Sequence, residues 1–108
     1  MGLIYLINET GTDNYKISVT RSKTVNHRKH TLQTGNASVL EVVKIFETKY
    51  PYRLETMLHM QHFDKREHGE WFILEPQDVF DFIPLCEKLQ KRIDFLLETN
   101  PFFPKDIK

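Results

Sequence analysis

Leu3-Ile4-Tyr5-Leu6-Ile7 and Tyr15-Lys16-Ile17-Ser18-Val19-Thr20 are two β-rich runs separated by the polar stretch Asn8 to Asn14, which contains Gly11 and Asp13. Runs of this kind on either side of turn residues predict an antiparallel hairpin, because Gly, Asn and Asp accept the backbone angles of a tight reversal. A two-stranded ribbon is not stable in water by itself, so the rest of the chain must supply a third strand and covering helices. Polar chemistry also lies within the strands. Tyr5 interrupts an aliphatic run, and Lys16 stands near the start of the second strand. A purely structural hairpin needs neither, which makes both candidate site residues.

Working outward, Thr24 or Asn26 can cap a helix through Arg28, His30 and Leu32 that stops at Thr34-Gly35-Asn36. The stretch Val39 to Thr48 is dense in β-branched and apolar residues and predicts a strand central in the sheet. Pro51 opens a helix over Tyr52 to Asp64, with Leu54, Met57, Leu58 and Gln61 along one stripe and Glu55, His59 and His62 along the next. Trp71-Phe72-Ile73-Leu74 reads as a short strand or an extended core segment. Pro76 suits the first turn of a long last helix, which Pro84 kinks or splits because it lacks the donor an interior position needs. The order of elements gives an α+β layer architecture, a small, mainly antiparallel sheet covered by helices. We expect one domain over residues 1–98 and a tail over 99–108, where Phe102 and Phe103 lie between prolines.

The 108 residues are 40% hydrophobic and 28% charged, the balance of an ordinary globular domain with one core. No apolar run reaches membrane-spanning length, and no basic-then-apolar leader opens the chain. The single cysteine, Cys86, excludes an internal disulfide and cysteine-based zinc sites. It reads as buried apolar filler in a reducing compartment, so we expect an intracellular protein, cytoplasmic or nuclear. A formal net charge of zero argues against coating nucleic acid by bulk electrostatics. The distribution is uneven, however: Lys16, Arg21, Lys23, Arg28 and Lys29 follow one another with no acid between them. That segment is either a local phosphate contact or a solvated helix face.

Read one by one, the chemical candidates are Tyr5, Lys16, Arg28, Glu55, His59 and His62, with Trp71 as a stacking surface or a core residue. Glu55, His59 and His62 are spaced i, i+4 and i+7, so they form either a partial divalent-metal site or the solvated side of an amphipathic helix.

Leu3-Ile4-Tyr5, Tyr15 to Thr20, Arg28 and Leu32-Gln33-Thr34-Gly35-Asn36, followed by Glu55, Leu58-His59, Phe63 and Gly69-Glu70-Trp71-Phe72, together resemble the short bacterial, phage and viral branch of the GIY-YIG endonuclease superfamily. The resemblance runs from Leu3 to about Phe82. It implies a three-stranded antiparallel sheet flanked by helices and a metal-dependent cleavage of DNA. It also implies catalytic roles for Tyr5, Lys16, Arg28 and Glu55, with Glu55 as the ligand of Mg2+ or Mn2+. Tyr15, Arg21, Lys29, His30 and His59 are the expected substrate contacts.

The chemistry is consistent with such a set. Phosphodiester hydrolysis builds negative charge on the phosphoryl and leaving oxygens, which a divalent ion and a guanidinium offset. A tyrosine with an unperturbed pKa of about 10 is a weak base, so Tyr5 needs positive charge close by. Ser18 stands where the family has glycine, which puts substrate placement in question. Two other functions are compatible with the sequence. One is a catalytically inactive module on the same fold that binds nucleic acid or a protein partner; the other is a metal-sensing or metal-storing protein built on Glu55, His59 and His62. With no DNA-binding domain expected in so short a chain, sequence specificity would come from a partner or be absent, and Phe102-Phe103 marks either an oligomer contact such as a homodimer or a tail folded onto its own core.

Overall fold

The structure, a computed structural model, describes residues 1–20 and 39–100. Its elements are β1 (Gly2–Glu9), β2 (Asn14–Thr20), β3 (Leu40–Thr48), α1 (Pro51–Gln61), a 3-10 turn (Phe63–Lys65), β4 (Arg66–His68), β5 (Trp71–Ile73), α2 (Pro76–Phe80) and α3 (Phe82–Thr99). The expected helix from Thr24 to Thr34 and the tail beyond Asn100 lie outside the described residues. The fold is α+β, as the order of elements predicts, with every strand pair antiparallel and the strand order β3-β1-β2-β5-β4.

The hairpin forms as its sequence dictates. Asn8 closes it, its Nδ2 donating to the carbonyls of Thr12 at 3.0 Å and Asn14 at 3.1 Å. Gly11 takes a φ of +83°, a conformation that side chains resist. The register then pairs Ile4 with Val19, Tyr5 with Ser18, Leu6 with Ile17 and Ile7 with Lys16. Because side chains alternate between faces, Ile4, Leu6, Ile17 and Val19 point one way, and Tyr5, Ile7, Lys16 and Ser18 the other.

Two features differ from expectation. The sheet has five strands, not three, because residues 66–73 fold into a second hairpin about Gly69, whose φ is +57°. That hairpin docks on the outer edge of β2, pairing Asn14 with Ile73, Tyr15 with Phe72 and Lys16 with Trp71. Three-residue strands are too short to show an alternating pattern, and all three residues of β4 are exposed and polar. In addition, among the described residues β3 lies at the edge of the sheet and not at its centre, with Glu41, Ile45 and Glu47 exposed.

The main core lies on the Ile4 face. Leu54 and Leu58 of α1 and Phe82, Cys86, Leu89 and Ile93 of α3 pack there against Ile4, Leu6, Ile17 and Phe72. Fully burying each of these aliphatic and aromatic side chains contributes about 1.5–3 kcal/mol. Gly2 lets α1 approach the sheet, since a Cβ at that position would come within 2.8 Å of the Pro51 ring. Helix α3 is further tied to the end of β3. Thr48 Oγ1 donates to Gln90 Oε1 at 2.6 Å, and the Tyr50 hydroxyl donates to Asp94 Oδ1 at 2.5 Å.

Pro84 acts through a break just before it. The helix divides at Asp81, and Pro84 becomes the third residue of α3, where a missing N–H costs nothing. Cys86 is buried as expected, and burial pushes its thiol pKa up to about 12. Among the described residues, no helix is long and apolar enough to cross a membrane.

Candidate active site

The ladder between β2 and β5 stops at the Lys16–Trp71 pair, and the groups of interest collect where it stops. Ile17 is the hinge of this region. Its N–H donates to the Glu70 carbonyl at 3.1 Å, and its carbonyl accepts from Nε2 of His59 at 2.8 Å. Both backbone groups of a strand residue point to the same edge, so this one residue fixes Glu70 from the β4–β5 turn and His59 from α1 side by side. The His59 ring also rests on Phe72, with centroids 5.1 Å apart.

Glu70 joins the two faces of the sheet at this edge. Its Oε2 lies 3.3 Å from Nζ of Lys16, and its carboxyl is hydrogen-bonded to the side chains of Ser18 and Glu55. Burial alone would raise the Glu70 pKa. The hydrogen bonds with Glu55 and Ser18 and the Lys16 charge outweigh it, holding the carboxyl below its ordinary value. Two carboxyl groups this close repel when both are ionised, and a shared proton or a cation bound between them would relieve that repulsion. One donor atom from each of Glu55, His59 and Glu70 lies within 4.8 Å of the others, and these side chains are neither fully buried nor fully exposed.

The opposite sheet face carries Tyr5. The register sets it directly across from Ser18, on the same face as Lys16 and Trp71. Its ring is completely buried in a second apolar cluster with Ile7 and Leu40, against Leu3, Val42 and Trp71. Lys16 completes the patch, its Nζ 5.6 Å from the centre of the Trp71 ring.

Of the residues singled out in the sequence, the structure gathers Lys16, Glu55 and His59 around Glu70 at one edge, whereas Tyr5 pairs with Ser18 across the hairpin and its ring is buried in the separate cluster on the other sheet face. Tyr15 faces the other way, packed against the main core. His62 is separate from Glu55 and His59: it is buried, its Nδ1 donates to the Leu58 carbonyl at 2.9 Å, and its ring meets Phe72 edge-on. Arg21, Arg28, Lys29 and His30 lie outside the described residues.

Two site residues were not legible as such. Glu70 stood in the sequence only as part of Gly69-Glu70-Trp71-Phe72, and its meeting with Lys16 depends on a pairing that short strands do not announce. Ser18 appeared as a departure from glycine. No described non-glycine residue has a positive φ, so the Ser18 backbone needs no glycine, and its buried hydroxyl bonds Glu70.

A small antiparallel α+β domain of this kind is compatible with a small nuclease-like fold. The chain belongs to the T5orf172 domain family, whose model matches residues 2–87. That family is associated with nuclease-like domains in phage. No curated protein and no solved structure gives a significant match to the chain.

Proposed function

We propose that the domain is a metal-dependent DNA endonuclease of the GIY-YIG type that hydrolyses phosphodiester bonds. The observation that carries this reading is the chain of contacts from Lys16 through Glu70 to Ser18 and Glu55, with Tyr5 paired across the strands from Ser18. Mg2+ or Mn2+ fits the donor set, because two carboxyl groups already in contact and an adjacent imidazole present hard oxygen and borderline nitrogen donors with negative charge to offset. When bound by Glu55, such an ion supplies charge stabilisation to the phosphoryl oxygens.

The residues of the chain do the rest. The Lys16 ammonium would offset the charge of the scissile phosphate, and its ion pair with Glu70 holds it in position. In this reading the Tyr5 hydroxyl orients the attacking water or accepts its proton, with Lys16 on the same sheet face. Arg28 would add a guanidinium fork on the phosphate.

A second reading draws on the complete burial of Tyr5. A hydroxyl reached by no solvent suits a non-catalytic descendant of the same fold that binds nucleic acid or a protein partner. Incubating the protein with supercoiled plasmid and Mg2+ or Mn2+, beside Tyr5→Phe and Glu55→Ala, separates the two. Nicking that requires the metal and is lost in both variants supports the nuclease. A retarded plasmid band without nicking supports the binding module.

A further inference from the structure

We propose that Glu55, His59 and Glu70 are three ligands of one divalent cation, and that this mixed oxygen and nitrogen set takes Mn2+ in preference to Mg2+. The use of the cation in cleavage rests on the function proposed above; its binding does not.

Distance is the first argument. Ligands placed about 2.0–2.3 Å from a common ion are separated from one another by about 3–4.5 Å. The donor atoms of Glu55, His59 and Glu70 all lie within 4.8 Å of one another, so small side-chain adjustments suffice. Helix geometry provides two of the three, since Glu55 and His59 are four residues apart and project from the same face of α1. The third comes from the turn before β5, held there by the Ile17 N–H.

The orientation of His59 is the second argument. A backbone carbonyl only accepts, so the bond to Ile17 requires the proton on Nε2 and leaves the Nδ1 lone pair for a metal. Metal-bound histidines are held this way, one ring nitrogen on the ion and the other donating to a carbonyl or carboxylate, which fixes the tautomer and the ring plane. A solvated histidine on a helix surface has no need of such an anchor. His62 shows the contrast, because its own backbone bond belongs to a ring packed into the core and away from the cluster.

Selectivity follows from the donors. Magnesium loses its waters reluctantly and is served by carboxylates, whereas an imidazole nitrogen adds affinity for manganese and the later transition metals. Two carboxylates balance the charge of a divalent ion, and the neutral imidazole adds affinity without adding charge.

The test uses the full chain freed of metal, with Mn2+ and Mg2+ as the probes. Calorimetry should find one Mn2+ per chain, bound at least tenfold more tightly than Mg2+. Glu70→Gln and His59→Ala should each weaken Mn2+ binding at least tenfold, and His59→Ala should also narrow the preference over Mg2+. Glu67→Gln, on the exposed β4, should leave both affinities unchanged. Electron spin-echo spectroscopy of the Mn2+-loaded parent should show coupling to a coordinated nitrogen, a readout that needs no variant to fold. An absent nitrogen signal, or Mn2+ affinity unaltered in both Glu70→Gln and His59→Ala, overturns the three-ligand site. Nicking that persists in that case leaves the nuclease standing without this site. Three-ligand binding in a protein that never nicks leaves the site standing and removes the nuclease.

Discussion

His59 and Ile17 are joined by a 2.8 Å hydrogen bond from the imidazole Nε2 to the strand carbonyl. The N–H of the same strand residue donates to Glu70. This residue therefore ties helix α1 and the β4–β5 turn to the middle of the hairpin, beside the candidate site. The site is thus built on regular secondary structure, where side chains are held more firmly than on loops.

The first consequence concerns stability. His59→Ala removes the bond and the ring contact with Phe72, and leaves the Ile17 carbonyl without its partner. The expected loss is about 1–3 kcal/mol, the usual cost of stranding a partly buried acceptor. Urea unfolding followed by circular dichroism reads it. An exposed histidine such as His68, changed to Ala, should cost less than about 0.5 kcal/mol.

Tyr50 sets the alkaline limit. Its hydroxyl donates to Asp94, and that hydrogen bond, with burial and the Asp94 and Glu98 charges, pushes its pKa up from 10.0 to about 12. A folded-state pKa raised above the unfolded value gives a contribution fully present below pH 10 and lost as pH rises toward 12. The melting temperature of the parent should therefore fall across that window more steeply than that of Tyr50→Phe. Parallel melting curves for the two proteins would remove this assignment.

Asp78 works in the acid range with the opposite sign. Burial would raise its pKa, but Lys65, 2.6 Å away, and the Glu75 N–H at 2.9 Å pull it below 3.8. A depressed folded-state pKa stabilises the protein above the unfolded value and stops doing so as pH falls through the folded one. Asp78→Asn should flatten the acid side of the stability profile below about pH 4. It should also loosen the start of α2, whose capping box uses the same carboxylate.

Long, regular elements were legible in the sequence. Alternation in β1 and β2 determines which side chains share a face, and Tyr5 and Lys16 do share one. The spacing of Glu55 and His59 places them on one face of α1, and Pro51 and Pro84 mark helix starts as their chemistry requires. What was not legible was set by tertiary pairing. Arg66-Glu67-His68 has no strand signal apart from the partner that Phe72 and Trp71 supply. Glu70 gains a role only because that hairpin ends beside Ile17. The edge position of β3 among the described residues was hidden for a related reason, since its apolar residues are partly covered by α3.

The account turns on Glu55, and the direct measurement is the first-order rate of plasmid nicking by the parent and by Glu55→Gln at saturating Mn2+, with both proteins shown to be folded. Losing the carboxylate proposed to hold the cation should slow nicking at least about 100-fold, on the scale of removing a principal charge-stabilising group. Equal rates for the two proteins, or nicking by the parent that continues in excess chelator, would contradict the account.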